Sequence, residues 1–287
     1  MSVTSENLDS ILAIVRSIGW GAADILLNQA RSFEIEKSGD SPVTTADLAA
    51  NRYILDRLQS VFGIEQFAYL SEETHSTQPI EMRLHHDWVW IIDPLDGTKD
   101  YINRTGEYAV HIALAYQGRP MLAIVAAPAF GKLYYASHDR GSWLETRSTA
   151  EAQRLHVSDK TQPQDLTIVT SRSHRDRRFE QLMQQFPVKQ QRQIGSVGCK
   201  IATIVEQQAD VYVSLSGKSA PKDWDFAAPE LILTEAGGQF TRFDGTVLQY
   251  NREDVNQWGG ILASNGTCHA ELGASAIRAL RQCDAQN

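Results

Sequence analysis

Apolar residues recur at intervals of three and four near the start of the chain. Leu8, Ile11, Leu12, Val15, Ile18, Ala22, Ile25 and Leu26 follow that spacing, which predicts an amphipathic helix over about residues 6–30. The polar stretch Arg31–Pro42 reads as a loop. A second helix is expected from near Thr44 to about Phe62, with Leu48, Ile54, Leu55, Leu58 and Phe62 turned inward. Short strands are expected at Phe67–Leu70 and Trp88–Ile92. Three β-rich runs, Tyr108–Tyr116, Met121–Ala127 and Leu133–Ala136, are parted by Gly118-Arg119-Pro120 and Gly131-Lys132, the pattern of an antiparallel meander.

After Arg147 strands and helices alternate. The expected strands are Leu166–Thr170, Asp210–Ser214 and Gly259–Ser264. The expected helices are Arg175–Phe186, Val197–Gln207, Trp224–Ala236 and Cys268–Arg281, the third closed by Gly237-Gly238. This change of texture suggests two subdomains, residues 1–150 and 151–287.

Composition narrows the class. With 42% hydrophobic and 22% charged residues the chain is globular, and a net charge of −8 argues against a nucleic-acid or anionic-membrane binder. The surplus of carboxylates can also mean that several gather to hold a cation. Cys199, Cys268 and Cys283 are scattered, which fits a reducing cytosol and no disulfide framework or zinc site. Glu6 and Asp9 stand where an export signal would be basic, and no window offers an uninterrupted apolar membrane span. A cytoplasmic protein is expected.

The chemistry concentrates in Asp93-Pro94-Leu95-Asp96-Gly97-Thr98, directly after an apolar strand. Pro94 helps set a tight turn, so Asp93 and Asp96 can converge with the Leu95 carbonyl, a ligand set suited to Mg²⁺. Gly97 lets a phosphate approach the backbone at a helix start. A plain solvated turn would explain the same residues. Glu72-Glu73 also end a strand, and Asp223-Trp224-Asp225 open an apolar helix, where acids favour the dipole in any case. Asp47 has the alternative of a capping box with Thr44.

Taken in order, Asp47 after a Pro-Val-Thr loop, Glu72-Glu73, the Asp93–Thr98 signature and Trp224-Asp225 about 130 residues later resemble the inositol monophosphatase superfamily of Mg²⁺-dependent, lithium-sensitive phosphatases. The resemblance runs from about Leu8 to Asn265. It implies a layered αβαβα sandwich of the type shared with fructose-1,6-bisphosphatase, with an antiparallel sheet in the first half and a mixed sheet in the second. It also implies two or three Mg²⁺ ions. Glu72, Asp93 and the Leu95 carbonyl would hold one, and Asp93, Asp96 and Asp225 a second, so most ligands fall in the first subdomain and Asp225 in the second. Glu72 and Thr98 would help the first ion activate a water, Asp47 would support the site, and Gly97 and Thr98 would hold the phosphate.

Within the superfamily, Gly97-Thr98-Lys99-Asp100-Tyr101, the segment Val169–His174 and Gly195–Lys200 resemble the 3'(2'),5'-bisphosphate nucleotidase (CysQ-like) branch. The acid that inositol-specific members place soon after Ala-Asp-x-Tyr is missing after Tyr212, where Val213 and Ser214 follow. A small-molecule substrate such as adenosine 3',5'-bisphosphate, or its sulfated form, is therefore expected, and a homodimer is compatible. A second phosphate needs a cation away from the metals, and Arg172 and Lys200 are the candidates; the neighbouring His174, Arg175, Arg177 and Arg178 also fit a solvated helix start.

Other readings fare less well. An inositol-1-monophosphatase or broader sugar-phosphate phosphatase is the alternative within the superfamily, and a non-catalytic metal or nucleotide sensor is the alternative outside enzymes. Haloacid-dehalogenase phosphatases put one residue, not two, between their aspartates. The Ser216-Gly217-Lys218-Ser219 stretch lacks the leading Gly of a phosphate-binding loop, and no Gly-x-Ser-x-Gly elbow occurs. His111 lies within a strand and reads as core.

Overall fold

A computed structural model describes residues 7–38, 41–172, 175–188 and 190–285. Ser173 and His174 of the expected nucleotidase-like segment lie outside the described residues. In chain order the elements are α1 (Leu8–Gln29), β1 (Ile35–Ser38), β2 (Ser41–Thr44), α2 (Thr45–Phe62), β3 (Phe67–Ser71), α3 (Glu81–Leu84), β4 (Trp88–Asp96), α4 (Thr98–Ile102), β5 (Ala109–Tyr116), β6 (Arg119–Ala127), β7 (Lys132–Ser137), β8 (Ser142–Thr146) and β9 (Thr149–Leu155). They continue as β10 (Thr167–Ser171), α5 (Arg177–Gln185), β11 (Gln190–Ile194), α6 (Val197–Val205), β12 (Val211–Leu215), α7 (Asp223–Glu235), β13 (Gln239–Arg242), β14 (Gly260–Ser264) and α8 (His269–Ala285).

Alternation along the strands sorts side chains into layers. On β4, Trp90 and Ile92 join the core shared with α1 and α2, whereas Val89 and Ile91 face the core shared with α6 and α7. On β12, Tyr212 faces that same middle core, and Val211 and Val213 pack against α5 and α8. The result is helices, sheet, helices, sheet, helices: the expected αβαβα sandwich. Because α6 and α7 lie between the sheets, the two halves of the sequence share one core. α1 is long and apolar enough to cross a membrane by length and composition, yet Leu8, Ile11, Leu12, Val15, Ile18 and Leu26 are buried in the first core.

Several expectations are corrected. The stretch read as a loop holds β1 and the start of β2, which pair antiparallel. The first sheet has the order β3-β4-β5-β6-β7-β8-β9, so the meander gains two strands and residue 150 falls inside β9. That sheet is antiparallel except for its first pair, β3 with β4, which is parallel. The second sheet, β11-β10-β12-β14-β13, is mixed and includes the unexpected edge strands β11 and β13. Polar runs such as Gln190–Gln193 show no apolar alternation, because an edge strand exposed to water needs none.

Candidate active site

The parallel β3–β4 pair explains why acids far apart in sequence meet. Ser71 registers with Ile92, so both strands end at the same edge, and the Glu72 N–H donates to the Ile92 carbonyl at 3.2 Å. An antiparallel pair would have put Glu72 and Asp93 at opposite edges.

In a regular strand Asp93 and Asp96, three apart, would face opposite sides. Here Asp93 pairs with His111 and Asp96 with Ala109, so β4 carries one extra residue across that interval. Pro94 lies within the bulge, where its missing N–H costs the ladder nothing. The bulge turns both carboxylates toward the middle layer. Asp93 Oδ1 accepts from the Leu95 N–H at 3.0 Å, which tightens the turn. Gly97 follows at φ +94°, where a β-carbon would also crowd the Glu107 carbonyl and Ser196.

Two helix N-termini complete the edge. The Gly198 N–H, in the first turn of α6, donates to Asp96 Oδ2 at 3.0 Å. Asp225, in the first turn of α7, accepts from the Lys222 N–H at 2.6 Å. One oxygen each from Asp93, Asp96 and Asp225 lie within 4.8 Å of one another, the arrangement needed for a shared cation. Glu72 and Asp225 keep part of their surface open to solvent, so a ligand can reach them.

The electrostatics point the same way. Burial, followed by the negative charges of Asp225 and Glu73, pushes Glu72 up to about 8. Burial and the neighbouring Glu72, Asp96 and Asp225 hold Asp93 well above the usual carboxylate range. Burial and Asp96 lift Asp225 to about 6, while Lys222 and Lys200 oppose the shift. Such mutual repulsion is what a multivalent cation relieves, and an all-oxygen donor set suits a hard cation.

Asp47 combines both of its readings. Its Oδ2 accepts the Thr44 N–H at 2.8 Å in a capping box at the start of α2. Its Oδ1 accepts from the Thr98 hydroxyl at 3.2 Å, and that hydroxyl also lies 3.3 Å from the Leu95 carbonyl.

The structure therefore brings together Asp47, Glu72, Asp93, Leu95, Asp96, Gly97, Thr98 and Asp225. Arg172 and Lys200 stand differently. Arg172 pairs with Asp100 and, at 2.7 Å, with Glu107 on the rim. Lys200 is buried at 2% exposure, donates to the Gly195 carbonyl and lies 5.4 Å from the Tyr212 ring. Of the helix-start arginines, Arg175 pairs with Glu180 and Arg178 with Asp284. Lys222, which the sequence pattern did not single out, lies 5.6 Å from the Trp224 ring and lowers both Glu72 and Asp225.

Residues 7–284 match the inositol monophosphatase family. The chain is 37% identical over 214 residues to the 3'(2'),5'-bisphosphate nucleotidase CysQ of Salmonella typhimurium, covering 75% of this chain and 81% of that one. It is 32% identical over 243 residues to the protein of the same name in Escherichia coli K12, covering 85% and 93%. Among solved structures, CysQ from Bacteroides thetaiotaomicron superposes with a TM-score of 0.72 at 25% identity over 89% of this chain and 97% of that one. The extragenic suppressor protein SuhB from Bartonella henselae shares the fold, with a TM-score of 0.77 at 22% identity over 93% and 98%.

Proposed function

The chain belongs to the inositol monophosphatase family, and from that membership we propose that it is a Mg²⁺-dependent phosphomonoesterase that removes the 3'-phosphate of adenosine 3',5'-bisphosphate. The products would be AMP and inorganic phosphate, and the sulfated nucleotide is a further candidate substrate. The observation that carries the reading is the convergence of Asp93, Asp96 and Asp225 beside Glu72 at the mouth of two helix N-termini. The CysQ names of the relatives favour the nucleotide over inositol phosphates.

In this reading Glu72, Asp93 and the Leu95 carbonyl would hold one Mg²⁺, and Asp93, Asp96 and Asp225 would hold another. When bound, such ions would supply positive charge that acidifies a water and offsets charge on the leaving oxygen. The protein's own groups do the rest. The Thr98 proton is committed to Asp47 or the Leu95 carbonyl, both of which only accept. The hydroxyl lone pair is then free to orient a water, and Asp47 acts through Thr98. Glu72 would take the proton that the water loses. Gly97 leaves the backbone open to the phosphate.

Arg172 is the candidate for the second phosphate, which would compete with Asp100 and Glu107 for its guanidinium. Lys200 would serve from beneath as a buried counter-charge.

Phosphate release with Mg²⁺, comparing adenosine 3',5'-bisphosphate with inositol 1-phosphate at matched concentration, tests the proposal. A strong preference for the nucleotide is expected. A preference for inositol phosphate would keep the cation chemistry and overturn the substrate.

A further inference from the structure

Three elements around the acidic cluster meet on one imidazole. His111 lies on β5 directly across from Asp93 and is fully buried. Its Nδ1 is 3.2 Å from the carbonyl oxygen of Trp224, the residue before Asp225. A carbonyl can only accept, so the proton of that bond belongs to Nδ1. In the neutral tautomer that this bond selects, Nε2 carries a lone pair, and this nitrogen has no hydrogen-bond partner. Asp96 Oδ2 is nonetheless 3.3 Å away.

Two acceptors facing each other at that distance do not bond. The Asp96 oxygen takes the Gly198 N–H instead. Gly198 is itself fitted to the ring, because a β-carbon there would stand 2.3 Å from His111 Nε2 and 2.8 Å from a Val125 methyl. The imidazole is therefore wedged between β5, the start of α6 and the start of α7. With a ring lone pair on that side, Asp96 Oδ2 takes the Gly198 N–H and no ring N–H, and the carboxylate's remaining lone pairs stay available to a cation.

We propose that His111 is a positioning residue for the cation site: its Nδ1–H holds the Trp224-Asp225 peptide, and its unprotonated Nε2 packs beside Asp96 without donating to it. The proposal rests on the reading of Asp93, Asp96 and Asp225 as that site. It assigns the ring no contact with substrate.

Calorimetric titration of Mg²⁺ into the metal-stripped full-length protein tests it, with H111L and H111Q beside the wild type. Leucine fills the space without either nitrogen, and its Mg²⁺ affinity is expected to fall about 10- to 100-fold. At saturating Mg²⁺ its KM for the nucleotide should stay within about twofold of wild type, since the ring touches no substrate. Glutamine keeps an N–H for the Trp224 carbonyl and should recover part of the loss. A folded H111L that binds Mg²⁺ like the wild type would overturn the proposal.

If H111L does not fold, ¹⁵N spectra of the wild-type imidazoles decide. His111 should carry its proton on Nδ1, and its Nε2 signal should move as Mg²⁺ is added. A proton on Nε2, or a signal unmoved at saturation, would sink the idea. A wild-type protein that binds no Mg²⁺ removes the cation site and this inference together; intact wild-type binding with unaltered H111L removes only the inference.

Discussion

Helix α7 carries an acidic cluster at each end, and the two differ in what their carboxylates touch. At its C-terminus Glu235 meets His138 and Asp139 closely enough to share an ion. Yet Glu235 already accepts the N–H groups of Asp139, Arg140 and Gly141 at 2.8–3.1 Å, so it clamps the turn between β7 and β8. At the N-terminus Asp225 accepts one backbone N–H and otherwise faces Asp93 and Asp96. Glu230, between them, is paired with Arg119 and accepts the Tyr250 hydroxyl. Acids that serve the fold are matched with donors. Of the two clusters compared, the N-terminal one collects negative charge without enough of them, and that shortfall is the ground for proposing it as the place for chemistry.

Neutralising each end in turn should break the symmetry most sharply. Asp225→Asn or Asp96→Asn removes a ligand charge and should lower kcat on the order of 10³-fold, several kcal/mol of lost stabilisation, with the fold intact by circular dichroism. Glu235→Ala should leave kcat within about twofold and lower unfolding stability by about 1–2 kcal/mol, as water replaces part of the clamp. Turnover retained in Asp225→Asn, or lost in Glu235→Ala, would reverse the assignment.

Acidity separates the ends next. Asp225, Glu73 and Glu72 have folded-state values near 6, 7 and 8, above those of an unfolded chain. Groups raised in this way contribute stability at low pH and lose it as pH rises through those values. The metal-free protein should therefore lose melting temperature from about pH 5 to about pH 8, and Mg²⁺ should restore it, more at the upper end. A Mg²⁺ effect that is flat with pH, or that survives in Asp225→Asn, would count against the cluster as the binding site.

Arg172 offers a smaller test on the rim. If it exchanges its carboxylates for the second phosphate, Arg172→Ala should raise KM for the bisphosphate about tenfold more than for a 3'-monophosphate. An equal change for both would leave it as a strut between Asp100 and Glu107.

A further effect, on stability alone, lies away from both clusters. His269 is lowered to about 4 by burial, between Thr241 and Ser264. Its contribution is present above the ordinary histidine value near 6.5 and lost as pH falls toward 4, up to about 2 kcal/mol after allowance for solvent screening. Calorimetry should show an acid-side loss of stability that His269→Gln reduces.

Much of the site was legible because it is local. The strand, the Pro94 turn, Asp93, Asp96, Gly97 and Thr98 lie within eleven residues, Trp88 to Thr98, and each chemical type has a short-range reason for its place. The same is true of the capping box at Thr44 and Asp47. The long helices were legible from spacing, whereas the one-turn α3 was not; Arg175, Asp176 and Phe186 fall outside α5, because Asp176 is its N-cap and Phe186 its C-cap. The strands β8, β9, β11 and β13 were not, since edge and half-exposed strands show no clean alternation. His111 read as a core histidine, which its burial bears out, but nothing near it in sequence says that it touches Asp96 and Trp224.

By itself, then, the sequence determined which residues could do chemistry and which faces must be buried, because both follow from side-chain type and short-range periodicity. The tertiary structure decided which charges meet. A one-residue bulge at Pro94, one parallel strand pair and two helix N-termini inserted between the sheets bring Glu72, Asp93, Asp96 and Asp225 together while giving Arg172 and Lys200 partners of their own. Electrostatic pairing depends on distance in space, and contacts between residues a hundred or more apart leave no periodic trace along the chain.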